Sequence, residues 1–69
     1  MTLKEFLEDG LKNRYFDLSA SLLVQSSDGS DIAFGDVESI LDSDSDYLLL
    51  LYSGYDRNED GSFVVTVDM

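Results

Sequence analysis

At 69 residues the chain has room for one small domain, residues 1–69, and a domain of that size buries only about 60 % of the surface its unfolded chain exposes. It has no cysteine and no histidine, which excludes a disulfide framework, a thiolate metal site, an ordinary zinc ligand and the usual general base near neutral pH. Fifteen acids stand against four bases, a net charge of −11, so direct contact with DNA, RNA or an anionic membrane is disfavoured and a basic protein partner is favoured.

Leu, Ile, Val and Phe make up 22 of the 69 residues. That is well above the fraction of about 20 % below which chains stay disordered, so a folded core is expected. Thr2 followed by Glu5 spells a capping box, and Leu3, Phe6, Leu7 and Leu11 fall at helical spacing, which predicts a short amphipathic helix stopped by Gly10. From Tyr15 to Gln25 the even positions Phe16, Leu18, Ala20, Leu22 and Val24 are apolar, the period of a strand with one buried face. "SSDGSD", residues 26–31, reads as a hairpin turn, and Ile32 and Phe34 continue the alternation into a short second strand. Asp36 then caps a turn or two of helix in which Val37, Ile40 and Leu41 share one face, and "DSDSD", residues 42–46, ends it.

"YLLLLYS", which begins at Tyr47, is apolar on both faces and predicts a strand that is central or covered, with an interface at Tyr47–Tyr52. Phe63, Val65 and Val67 alternate with Val64, Thr66 and Asp68, a last strand expected to pair back on "YLLLLYS". The order predicts an α+β domain: a small antiparallel sheet of about four strands, an N-terminal helix and a short second helix. The longest apolar run falls far short of a membrane span, and the start "MTLKEFLEDG" lacks the basic and apolar parts of a signal peptide, so a cytoplasmic protein is expected.

Two acidic motifs invite a chemical reading. Asp56, Asn58, Asp60 and Gly61 have the spacing of the first half of a calcium loop, but its twelfth position, where a bidentate Glu belongs, is Val67, and residues 62–67 alternate as a strand. The stretch is therefore read as a hairpin tip, with no metal and no cofactor. In "DSDSD" the three aspartates of an extended segment would line one face about 6.6 to 7 Å apart, similar to successive phosphates along a nucleic-acid strand. A solvated loop accounts for the same run. The total charge favours function, because Asp28, Asp31, Asp36, Glu38, Asp42, Asp44 and Asp46 all fall in turns or on a short helix, where they can crowd one surface. No base, nucleophile and oxyanion donor come together, so no enzyme activity is expected. Tyr15, Tyr47, Tyr52 and Tyr55 suit interface anchors, or for Tyr47 and Tyr52 the sheet margin.

"IAFGDVESIL" and "YLLLLYSGYDRNEDGSFVVTV" resemble, in their arrangement of brief helix, hairpin, Gly-Asp box and closing hairpin, small acidic proteins of bacteriophage and other mobile elements. These include anti-CRISPR, anti-restriction and uracil-DNA glycosylase inhibitor families, many of them DNA mimics. "ESIL", Glu38–Leu41, is similar to the segment with which one glycosylase inhibitor engages its enzyme, although here it reads as helical; "SDYLLLL" and "YDRNEDG" resemble later strands of that inhibitor. The resemblance implies an inhibitor whose acidic face occupies the nucleic-acid channel of a host defence or DNA-processing protein. Asp42, Asp44 and Asp46 are its first candidate contacts, then Asp36, Glu38, Asp28 and Asp31. The alternative is a non-catalytic assembly module that self-associates, for example as a homodimer, through residues 47–52.

Overall fold

The structure is a computed structural model that describes residues 1–68. Helix α1, Leu3–Lys12, starts with the expected capping box: the Glu5 N–H donates to the Thr2 hydroxyl (3.2 Å) and the Thr2 N–H to the Glu5 carboxylate (2.9 Å). Gly10 does not stop it. The Phe16 ring rests on this buried glycine, where a Cβ would come 2.2 Å from Phe16 Cζ. The helix closes beyond it, with the Tyr15 N–H donating to the Gly10 carbonyl (2.9 Å), the Arg14 N–H to the Leu11 carbonyl (3.3 Å), and Arg14 left-handed at φ 61°.

Strand β1, Ser21–Ser26, is shorter than the alternation from Tyr15 predicts. The chain turns on Asp17, whose carboxylate accepts from the Ser19 N–H (3.0 Å), and this leaves Leu18 half exposed. Helix α2, Val37–Asp42, uses that loop. Its Val37 N–H donates to the Ala20 carbonyl (3.0 Å), Glu38 N–H to the Leu18 carbonyl (3.0 Å), and Ser39 N–H to the Asp36 carboxylate (2.8 Å). So short a helix cannot stand alone; these bonds, with Val37 and Ile40 buried, hold it.

Strand β2, Asp31–Asp36, pairs antiparallel with β1, but Val24 faces Ala33 and Gln25 faces Asp31, which leaves Ile32 as an extra residue. Such a bulge turns Ile32 and Ala33 together toward the core and sends Phe34 to the opposite face, although the sequence alternation puts Ile32 and Phe34 on one side. "YLLLLYS" is not the predicted strand. Asp46–Leu49 is a 3₁₀ turn that buries Leu48, and strand β3 is Tyr52–Arg57. Four leucines and no β-branched residue make a poor strand. Instead the run docks by its backbone: the Leu3 N–H donates to the Leu50 carbonyl (2.8 Å) and the Tyr52 N–H to the Met1 carbonyl (2.8 Å).

Strand β4, Phe63–Val67, completes a four-stranded sheet of order β2-β1-β4-β3. The α+β class, the four strands and the two helices are as predicted; the two hairpins are antiparallel, while the central pair β1 and β4 is parallel, so the sheet is mixed. A parallel pair needs a long crossover. Here it is everything from β2 to β3, and it carries α2 across the same sheet face that α1 covers. Between helices and sheet lie Leu22 and Val24 of β1 beside Phe63 and Val65 of β4, closed over by Leu3, Leu7, Val37, Ile40 and Leu48. On the β3 side the core is aromatic: Phe6 stacks on Tyr52 (ring centroids 4.3 Å apart) and Phe16 on Phe63 (4.6 Å). No helix among the described residues is long and apolar enough to cross a membrane.

Candidate partner-binding surface

All seven candidate contact residues are exposed, and local hydrogen bonding explains where several of them sit. Asp28, at the β1–β2 turn, accepts from the Ser26 hydroxyl and from the Ser30 N–H (2.9 Å); these bonds, the hydroxyl first, hold its carboxyl below the usual carboxylate range. Asp36 is held low in the same way by Ser39, its hydroxyl first and then its N–H. Asp17 and Asp60 repeat the arrangement with Ser19 and Ser62, again with the hydroxyl as the larger cause. A recurring Asp-x-Ser pattern thus builds three turns, and its bonds favour the charged form of their carboxylates. "YDRNEDGSF" is one of them: Gly61 takes φ 93° and the Asn58 N–H donates to the Ser62 carbonyl (2.8 Å), closing the β3–β4 hairpin.

"DSDSD" is not extended, and its three aspartates do not form the predicted row. Asp42 is the last residue of α2, Ser43 is helical (φ −64°, ψ −23°), Asp44 is left-handed at φ 48°, and Asp46 begins the 3₁₀ turn. Helix capping took precedence over the strand period. Asp44 occupies a position where aspartate is among the tolerated residues. Asp42 has no such account: it lies at a helix C-terminus, where the backbone dipole disfavours a negative charge, and the last turn holds no basic residue.

The seven residues do not gather at one point. Asp28 and Asp31 flank one end of β2, and Asp36 with Glu38 sits at the other, about 16 Å away at the rise of a strand. Among the described residues no three acids come together to hold a metal ion. Charge is nonetheless segregated. Residues 15–56 contain nine of the fifteen acids and none of the four bases. Lys4 and Lys12 are on α1, Arg14 follows it, and Arg57 pairs opposite Phe63 and lines a groove with Phe6, Tyr15, Phe16 and Tyr55 on the helix-covered side.

The open side of the sheet is a feature that the sequence pattern misses. Leu23, Phe34 and Val64 project there, with Phe34 75 % exposed. The sequence carries no signal for it: Leu22–Val24 and Ile32–Phe34 read as two inward alternations, and only the one-residue slip in their pairing turns Phe34 out. The chain matches no protein family, no curated protein and no solved structure.

Proposed function

We propose that this chain is a non-catalytic acidic inhibitor of the phage type, which binds a basic host defence or DNA-processing protein, for example a CRISPR effector, and occupies its nucleic-acid site in place of DNA. The observation that carries the proposal is the segregation of charge: a stretch of 42 residues with nine acids and no base, all seven candidate acids exposed. Carboxylates replace phosphates against Lys and Arg, and their spread along β2 covers roughly five base steps at an axial rise of about 3.4 Å. Asp42 supports the same reading, because local structure gives no reason for an acid there. Such an inhibitor works in the cytoplasm of the host cell.

The test is displacement of bound DNA from purified basic nucleic-acid-binding proteins, CRISPR effectors and uracil-DNA glycosylase among them, at about 0.15 M salt. Displacement that weakens steeply with added salt is the expected result. Failure to displace DNA from any of them counts against mimicry. The second reading, self-association through residues 47–52, draws on the exposure of Leu49 (69 %) and Leu51 (56 %), two leucines that the described residues leave more than half exposed. Sedimentation of a Leu49→Ser, Leu51→Ser variant against the parent protein tests it.

A further inference from the structure

Strand pairing sets Phe34 beside Leu23, Leu23 beside Val64 and Val64 beside Asp56, one row across all four strands on the face that no helix covers. Asp31 and Asp36 share this face, because their partners Gln25 and Ser21 alternate with the inward Leu22 and Val24. Gln25 Nε2 donates to Asp31 (2.9 Å), which fixes that carboxylate at the edge of the row. Single exposed apolar residues are ordinary, but a contiguous row that ends in an almost fully exposed phenylalanine is not.

We propose that this open face is the docking surface for the basic protein partner, with Phe34 entering an apolar pocket of that partner while Asp31, Asp36 and Asp56 meet Lys or Arg around it. The inference rests on the proposed basic partner and names the face that receives it. Charge complementarity selects the occupant. None of the four bases lies on this face: Lys4, Lys12 and Arg14 belong to α1 and its end, and Arg57 is on the helix-covered side. A second copy would set carboxylate against carboxylate with no cation between them. The face measures only roughly 300 Å² at a strand spacing of about 4.8 Å. A specific interface needs about 800 Å² from each partner. Contact must therefore run past the sheet, onto the Asp28 turn at one end of β2 and beyond Asp36 at the other; Glu38, on α2 and in a groove with Leu11 and Arg14, belongs to the helix-covered side.

The test uses two defined probes at about 0.15 M salt, an amphipathic peptide of Arg and Leu and an oligolysine of equal charge, followed by amide chemical shifts of the full chain. The Arg-Leu peptide is expected to perturb Leu23, Phe34 and Val64. Phe34→Ser should weaken its binding about tenfold, leave oligolysine binding unchanged and leave the melting temperature unchanged. Asp56→Asn, on the same row, should weaken both probes. The proposal is overturned by shifts confined to Asp42–Asp46, by no binding of the peptide, by equal loss for both probes in Phe34→Ser, or by a wild-type dimer that Phe34→Ser dissociates, which would give the face to a second copy. The inference and the function separate cleanly. DNA displacement that Phe34→Ser leaves intact removes the docking face and keeps mimicry; peptide binding through Phe34 without any DNA displacement does the reverse.

Discussion

Val64 and Val65 are neighbours on one strand and face different worlds. Val65 is fully buried beneath the helices with Leu22, Val24 and Phe63, whereas Val64 lies on the uncovered face in a row with Leu23, Phe34 and Asp56. The inner face is packed on by both helices and carries the stability of the domain. The outer face carries apolar side chains and acids that the fold itself has little use for. A two-layer domain this small separates holding together from binding by the parity of its strands.

The largest expected effect belongs to the inner face. Leu7→Ala removes a fully buried side chain of α1 and should cost about 2 to 5 kcal/mol. A chain of 69 residues has a total stability of only about 3 to 10 kcal/mol, so urea titration should show this variant barely folded or unfolded. Val65→Thr is smaller and more pointed: it keeps the shape and buries a hydroxyl among apolar neighbours, at about 1 to 3 kcal/mol. A Val65→Thr protein as stable as the parent would mean that the inner face is wet.

Arg14→Gly acts in the opposite direction. Arg14 holds a left-handed conformation that closes α1, at a cost of about 1 to 2 kcal/mol for a residue with a Cβ. Glycine removes that strain and gives part of it back as unfolded-state entropy, so a net gain of about 0.5 to 1 kcal/mol is expected in the same titration. Acid should act on the turns. The carboxyls of Glu5, Asp17, Asp28, Asp36 and Asp60 are lower in the folded chain than in the unfolded one, so their contribution is complete above about pH 4, the unfolded value, and is lost as pH falls through the folded values. Protonation also relieves the repulsion of a −11 chain, which works the other way. In about 1 M salt, where the Debye length is about 3 Å, that repulsion is screened and the melting temperature at pH 3 should fall below that at pH 5.

Local signals were legible wherever a side chain bonds its own backbone neighbourhood. Thr2 with Glu5, Asp36 before α2, and the glycine-bearing hairpin tips could all be read from residue type and spacing. What could not be read depends on distant contact. Gly10 looks like a helix stop until Phe16 is seen lying on it. An apolar run such as residues 47–52 has no period that separates turn from strand; its lack of β-branched residues weakens the strand, and its bonds to Met1 and Leu3, which the sequence does not show, hold the turn. The parallel pairing of β1 with β4 leaves no trace in either strand. For the candidate surface, the exposure of each acid followed from composition and turn chemistry. The bulge at Ile32 brought Phe34 out among them, and a one-residue slip has no signature in a short strand.

The smallest expected effect bears most directly on the two faces. Val64→Thr makes the same atomic change as Val65→Thr, one position away, at a half-buried site on the open face. Its stability should stay within about 0.5 kcal/mol of the parent, as for surface substitutions elsewhere, because water already reaches the new hydroxyl. Equal losses at positions 64 and 65 would mean that something covers the outer face in solution. If both the loss at 64 and the parent stability rose with protein concentration, that cover would be a second copy, against the charge argument; if neither did, the chain itself would be folding over its own open face. A silent Val64→Thr in the folding titration, with weaker binding of the Arg-Leu peptide, places Val64 where its neighbour cannot be: outside the core and inside the interface.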